Sequence, residues 1–252
     1  MYHLVVHVEV PEWNSTDLST GLPKYDFTTI HLKFASAMSQ DEIVKTLCAH
    51  RAEELESLLE AASTTSIAAS LCGNIFEAYA FRIMQDYSNY PWRARMLVND
   101  GAKSPEFEFR PYCGSDLEFR EFYNTGEVNF SSTPIKAIYK ANRKIYAGIA
   151  GFCADGIFNM TVAAKHDIVM KDELVKLITE GSDVGWFRIY ASSRNAIGYL
   201  FFVPWYAFES WTRTQPLKRR GRDYAELRLE LVQIAVEVPR SKSLISMSNN
   251  LF

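Results

Sequence analysis

The chain begins with an alternating run in which Val6, Val8 and Val10 are separated by His7 and Glu9, a period of two that predicts a strand ending at Pro11. The turn-rich stretch Asn14-Ser-Thr-Asp-Leu-Ser-Thr-Gly-Leu-Pro23 predicts a loop behind it. From Ser39 the period becomes helical. Ser39 and Glu42 form a capping box, Met38 and Ile43 suit a hydrophobic staple, and the apolar positions run Ile43, Leu47, Leu55, Leu58, Leu59 and Ala62. Six acidic residues coat the other side of this helix, as a solvated face would. A second helix over 65–87 carries Ile67, Leu71, Ile75, Tyr79 and Ile83 on one stripe, with enough flanking apolar residues to be mostly buried. Glu77 lies off that stripe, half buried beside Gly73, a residue that would admit the close approach of another element. A carboxylate so placed needs a partner, a metal or a raised pKa.

Beyond this helix the pattern turns to strands, over 92–98, 107–110, 143–153, 157–163, 186–191 and 197–203, with short helices over 171–179 and 204–211. The run 227–238 fits either period, but Val232-Gln-Ile-Ala-Val-Glu-Val-Pro239 favours a strand at its end. Interleaved strands and helices predict an α/β fold, and hairpins within the series predict a mixed sheet flanked by helices. Residues 1–240 are expected to form one domain, with 1–36 as a strand-and-loop extension and 241–252 as a loose tail.

With 48% hydrophobic residues, the 252-residue chain can bury a sizeable core. Its formal charge of -3 provides no global attraction to nucleic acid, so any such affinity has to come from a local patch. Cys48, Cys72, Cys113 and Cys153 are scattered without a CxxC pair, which argues against a zinc site and a disulfide scaffold and for a reducing compartment. The opening run is too short and polar for a signal-peptide core, and no segment approaches a membrane span. A soluble protein, intracellular at its site of action, is expected.

Asp155-Gly156 between two β-rich runs predicts a hairpin. A two-residue loop would set Ala154 opposite Ile157, and a three-residue loop closed by Gly156 would set Gly151 opposite Asn159. A slip of one residue turns every side chain to the other face, so both registers stay open. Phosphodiester cleavage with Mg²⁺ needs clustered carboxylates and a Lys to position water and stabilise developing charge. The hairpin offers Asn159 and Thr161 on one strand face, Lys165 a few residues on, and Asp155 at the turn, while the helix offers Glu77. Asp155 reads first as a turn residue pointing at the hairpin tip, with metal binding as the alternative. Lys165 and His166 read as exposed loop residues or phosphate contacts.

No phosphate loop, nucleophile elbow or HExxH helix occurs, which removes motif support for nucleotide hydrolysis, serine hydrolysis and zinc proteolysis. The run from Arg213 to Arg222 adds Lys218, Arg219 and Arg220 to its two terminal arginines and has no acidic residue. It suits an exposed basic loop, a phosphate-contacting patch or a nuclear-import signal. Trp205, Tyr206, Phe208 and Trp211 nearby suit a core, with base stacking as the alternative.

Three segments together resemble one family. Gly73-Asn-Ile-Phe-Glu77 is similar to a G-h-x-F-E helix, Phe158-Asn-Met-Thr-Val-Ala-Ala-Lys-His166 to an F-Q-M-T-V-x-x-x-H strand, and Val203-Pro-Trp-Tyr-Ala-Phe208 to the V-V-P-x-x-x-F segment of Crinkler effectors and related retrotransposon-hot-spot proteins. The likeness spans 34–239. It implies a restriction-endonuclease-like domain of the PD-(D/E)xK type, usually joined to an upstream P-loop ATPase, in proteins that oomycetes and fungi deliver into the host cytoplasm or nucleus. Glu77 matches the family's helix Glu, and Lys165 and His166 match its closing pair. Asn159 stands where the family has Gln, and Gly151 falls where the metal-binding Asp is expected. The resemblance thus implies an effector module with a degenerate nuclease fold, binding nucleic acid or a host nuclear protein and needing no cofactor. The alternatives are an active DNA or RNA nuclease holding one Mg²⁺ with Glu77, Asp155, Asn159 and Lys165, and a pure protein-interaction module.

Overall fold

The computed structural model of the protein describes residues 6–9, 12–16, 23–25, 31–34, 37–62, 69–87, 90–110, 118–123, 127–132, 137–141, 149–163, 165, 167–170, 172–188, 196–219 and 230–241. The chain forms two compact units, Met1–Arg82 and Ile83–Phe252.

In the first unit, β1 (Val6–Glu9) pairs antiparallel with β4 (His31–Phe34), and β2 (Glu12–Thr16) pairs antiparallel with β3 (Pro23–Tyr25). The alternating start is therefore a strand. Two more strands overlap the ends of the expected loop 14–23, because Trp13 and Thr16 favour extended backbone and Pro23 begins its strand, where a missing N–H is tolerated. Helix α1 (Ala37–His50) starts before Ser39, so the expected cap lies inside the first turn. The predicted single helix divides at Arg51, and α2 (Ala52–Ala62) follows at once, bridged by Leu55 N–H to the Arg51 carbonyl at 3.1 Å. Leu55 and Leu59 are buried while Leu58 is exposed. Glu56 corrects the expectation of a wholly solvated acidic face, since it is 5% exposed and accepts a hydrogen bond from the Tyr79 hydroxyl at 3.0 Å. Tyr79 lies on α3 (Ala69–Asp86), whose Ile75, Phe76, Tyr79, Ala80, Ile83 and Met84 are buried as the stripe predicts.

The second unit is built on one eight-stranded mixed sheet. Its strands are β5 (Trp92–Met96), β6 (Glu106–Phe109), β7 (Glu118–Phe122), β8 (Ala137–Ala141), β9 (Gly151–Cys153), β10 (Gly156–Met160), β12 (Ala196–Pro204) and β14 (Glu230–Val238). They lie in the order β6-β5-β14-β12-β10-β9-β8-β7. A separate parallel pair joins β11 (Ile168–Met170) to β13 (Leu217–Arg219), and the helices are α4 (Asp172–Asp183) and α5 (Trp205–Phe208). The predicted mixed α/β class is present. The chain runs β8-β9-β10 as an antiparallel meander, crosses through α4, and returns in β12 parallel to β10. A parallel return needs a crossover of this length.

Strand β12 is buried along its whole length, as expected of a strand covered on both faces. On one face Ile157, Tyr199, Phe201 and Ala235 pack with Leu174, Leu177 and Ile178 of α4, and the stacked Tyr139 and Phe152 rings, 4.7 Å apart, extend this core towards Trp186. On the other face Phe158, Phe202 and Trp92 meet edge to face. Trp186, Phe187 and Arg188, expected in a strand, form irregular chain whose two aromatic side chains fill the core. Of the expected C-terminal tail, Ser241 is buried and 242–252 lie outside the described residues. No described helix is long and apolar enough to cross a membrane.

Two glycines set the spacing of the central hairpin. A Cβ at Gly151 would sit 2.2 Å from the Tyr139 carbonyl oxygen and 2.7 Å from the Phe158 ring. At Gly156, which has φ +134°, it would sit 2.1 Å from the Gly198 carbonyl oxygen. Gly151→Ala and Gly156→Ala should each destabilise the protein by at least about 1–3 kcal/mol, as overpacking a filled core does. Urea denaturation checks this through a lower midpoint at unchanged slope.

Candidate functional site

The hairpin adopts neither expected register. Its loop is Ala154-Asp155, with Cys153 opposite Gly156, Phe152 opposite Ile157 and Gly151 opposite Phe158. Gly156 closes it by entering β10 at positive φ against the backbone of β12. The consequence for the predicted site is large. Because side chains alternate along a strand, Gly151 shares the face of Phe158, whereas Asn159 points to the opposite face beside Phe201 of β12. The position expected to carry the metal carboxylate and the residue expected to share the ion lie on different sides of the sheet. Ala150, the residue before Gly151, is buried and has no carboxylate to offer.

Asp155 occupies the turn but does not point to solvent at the hairpin tip. It is 0% exposed and pairs with Arg188, Oδ1 to Nη1 at 3.0 Å, while Arg188 N–H donates to the Ala154 carbonyl at 2.7 Å. One arginine thus clamps both loop residues from the chain that follows α4. Asn159 and Thr161 are buried and make local bonds: the Asn159 Oδ1 accepts from Met160 N–H at 2.8 Å, and the Thr161 Oγ1 accepts from Ala163 N–H at 3.1 Å. Both end the strand and hold the chain that leads out of it. The hairpin by itself does not fit a Mg²⁺ site, which would need converging carboxylates, since its one acid, Asp155, is paired with Arg188. Among the described residues no group of three or more His, Cys, Asp or Glu side chains is placed to hold a metal ion. Glu77, in the first unit, is half buried on α3. Among the described residues nothing lies within 4 Å of where a Gly73 Cβ would be.

The basic residues divide differently from their order in the sequence. Lys165 is exposed on the segment from β10 to β11, and the β11–β13 pair sets Val169 beside Lys218 and Met170 beside Arg219. The segment after the predicted strand and the basic run thereby become neighbours. Lys218 is ion-paired with Asp167, which offsets part of the positive charge there. Arg213 is held apart: it bridges to Val98 and packs on the turn at Gly101. The chain between is pinned by Gln233 of β14, whose side-chain amide accepts from Gln215 N–H at 2.6 Å and donates to the Gln215 carbonyl at 3.0 Å. His166, Arg220 and Arg222 lie outside the described residues. Phe208 and Trp211 are core residues, whereas Trp205 and Tyr206 are half buried.

An ion network absent from the sequence-based site lies where β5, β6, β14 and α5 meet. Arg95, 1% exposed, pairs through Nη2 with Glu106 at 2.6 Å and Glu209 at 3.3 Å. Arg93 joins Glu106, Glu209 and Glu237, and Lys103 caps Glu209 at 2.8 Å. The Arg95 Nε and Nη1 have no hydrogen-bond partner among the described residues, and its guanidinium lies 4.2 Å from the Phe208 ring centroid, where the aromatic face offsets part of the burial cost. Hydrogen bonds from Lys103, Arg93 and Arg95 hold the Glu209 carboxyl down to about 2, and Arg93 lowers Glu106 in the same way. Burial pushes Glu237 up despite its pairing with Arg93. Spacing alone could have suggested Arg93 and Arg95 on one face of a strand, but their acidic partners come from remote segments.

Comparison with family models, with curated proteins and with solved structures finds no match for the chain.

The lowered Glu209 and Glu106 carboxyls bind fewer protons in the folded state than in the unfolded one. Their contribution is therefore fully present above the ordinary carboxylate range and is lost as pH falls below it, for Glu209 towards about 2. Chemical denaturation between pH 7 and pH 3 should show stability falling with acidification, and Glu209→Gln should flatten that slope.

Proposed function

We propose that the protein is a Crinkler-like effector module whose restriction-endonuclease-like scaffold has lost cleavage and binds nucleic acid. The observation that carries this reading is the hairpin register, with Gly151 filled over by Phe158 and turned away from Asn159. Asp155, the acid of the hairpin turn, is paired with Arg188. The order of helix, antiparallel meander, helical crossover and parallel strand supports the scaffold assignment. The pairing of β11 with β13, which sets the segment after Lys165 beside Lys218 and Arg219, supports phosphate contact, a sequence-independent and salt-sensitive mode of binding. The site of action is the host nucleus or cytoplasm, and longer relatives would join this module to a P-loop ATPase.

Incubating the purified chain with plasmid or RNA in Mg²⁺ or Mn²⁺ should give no cleavage. Binding to labelled DNA or RNA should weaken with added salt, and replacing Lys165, Lys218, Arg219, Arg220 and Arg222 by Gln should weaken it further and reduce the salt slope by up to about 0.9 per lost duplex phosphate contact. Cleavage abolished by Glu77→Ala would establish an active nuclease instead. Absence of nucleic-acid binding at low salt would leave a protein-interaction module.

A further inference from the structure

Strands β10, β12 and β14 are parallel, so their C-terminal ends reach the same edge of the sheet: Pro204 pairs with Val238, and Thr161 N–H donates to the Phe202 carbonyl at 3.0 Å. In open α/β sheets this carboxyl edge is where ligands bind. Immediately past it lie Trp205 and Tyr206 after β12 and Arg240 after β14. The Arg240 guanidinium lies over the Trp205 ring, 5.2 Å from its centroid, and Tyr206 stands edge-on to Trp205 with ring centroids 5.5 Å apart. Trp205 and Tyr206 are half buried, so the indole is fixed from below, while Arg240 is exposed. The sequence-based aromatic cluster therefore divides in two. Phe208 and Trp211 serve the core, and Trp205 supports an exposed cation.

We infer that the Arg240–Trp205 pair is a stacking platform for an unpaired base of single-stranded nucleic acid. This rests on the nucleic-acid reading above and names the strand state and the subsite. An Arg guanidinium is planar and weakly hydrated, and bases stack on guanidinium planes as they do on aromatic rings. Held against an indole, the plane is pre-ordered and loses less conformational freedom on binding. A duplex keeps its base faces inside its own stack, so an edge platform of this kind selects splayed or unpaired bases. Stacking tolerates any base, and the net charge of -3 supplies no attraction from a distance, which places the recognition in local contacts.

Fluorescence anisotropy of the full chain with a labelled deoxythymidine oligonucleotide, its abasic counterpart and a duplex of equal length tests the platform. The abasic strand should bind roughly five- to a hundredfold more weakly, the range for losing one or more stacked bases. Arg240→Lys, which keeps the charge and removes the plane, should weaken binding to the normal strand by about fivefold or more without changing the salt slope, and should leave abasic binding unaltered. Equal affinity for normal and abasic strands, or wild-type binding by Arg240→Lys, would overturn the platform while leaving phosphate-directed binding intact. Failure to bind any of the three nucleic acids would overturn the platform and the nucleic-acid reading together.

Discussion

The absence of a side chain at Gly151, where a Cβ would meet both the Tyr139 carbonyl oxygen and the Phe158 ring, is the constraint on which the second unit depends. It draws β8, β9 and β10 together where a side chain on the middle strand would hold them apart. The same economy recurs at Gly156, whose positive φ and missing Cβ let the hairpin lie against Gly198 of β12. With these two approaches set, the register of the hairpin follows. Ile157 meets the α4 layer, Phe158 meets Phe202, which in turn meets Trp92, and Asn159 falls at the buried end of the strand. A slip of one residue would turn all of these over and bring the glycines under side chains they cannot accommodate.

That constraint bears directly on chemistry. A hydrolytic metal site needs carboxylates that converge, and here the space one of them would occupy is filled by an aromatic ring, while the turn acid is neutralised by an arginine. Under the proposed reading of a nuclease scaffold retained for binding, both features hold the hairpin where a site would otherwise stand. Function can change in this way without change of fold, because it resides in the groups grafted onto the scaffold. The exposed Arg240 and the half-buried Trp205 at the carboxyl edge of the sheet do not depend on those carboxylates.

Much of the architecture was legible because long apolar runs have few alternatives. The stripe of α3, the continuous apolar run of β12 and the strand character of β14 were all readable. Strands β7, β8, β11 and β13 were not, since short or charge-alternating segments such as Glu118–Phe122 and Leu217–Arg219 become strands only through their neighbours. The hairpin was legible in kind but not in register, because Asp-Gly favours a turn without stating which of its residues belongs to a strand. Of the candidate site, Asp155 was correctly placed at the turn, but its burial was invisible because Arg188 comes from beyond α4. The Arg93–Arg95 network and the Arg240–Trp205 pair were missed for the same reason: each joins segments far apart in the chain.

The most direct test of a scaffold without its metal site is anomalous diffraction from crystals soaked in Mn²⁺. No manganese peak should appear beside Gly151, Asp155 or Asn159, and Asp155 should remain paired with Arg188. A manganese ion bound at the hairpin by Asp155 or Glu77, with Arg188 displaced, would contradict the account.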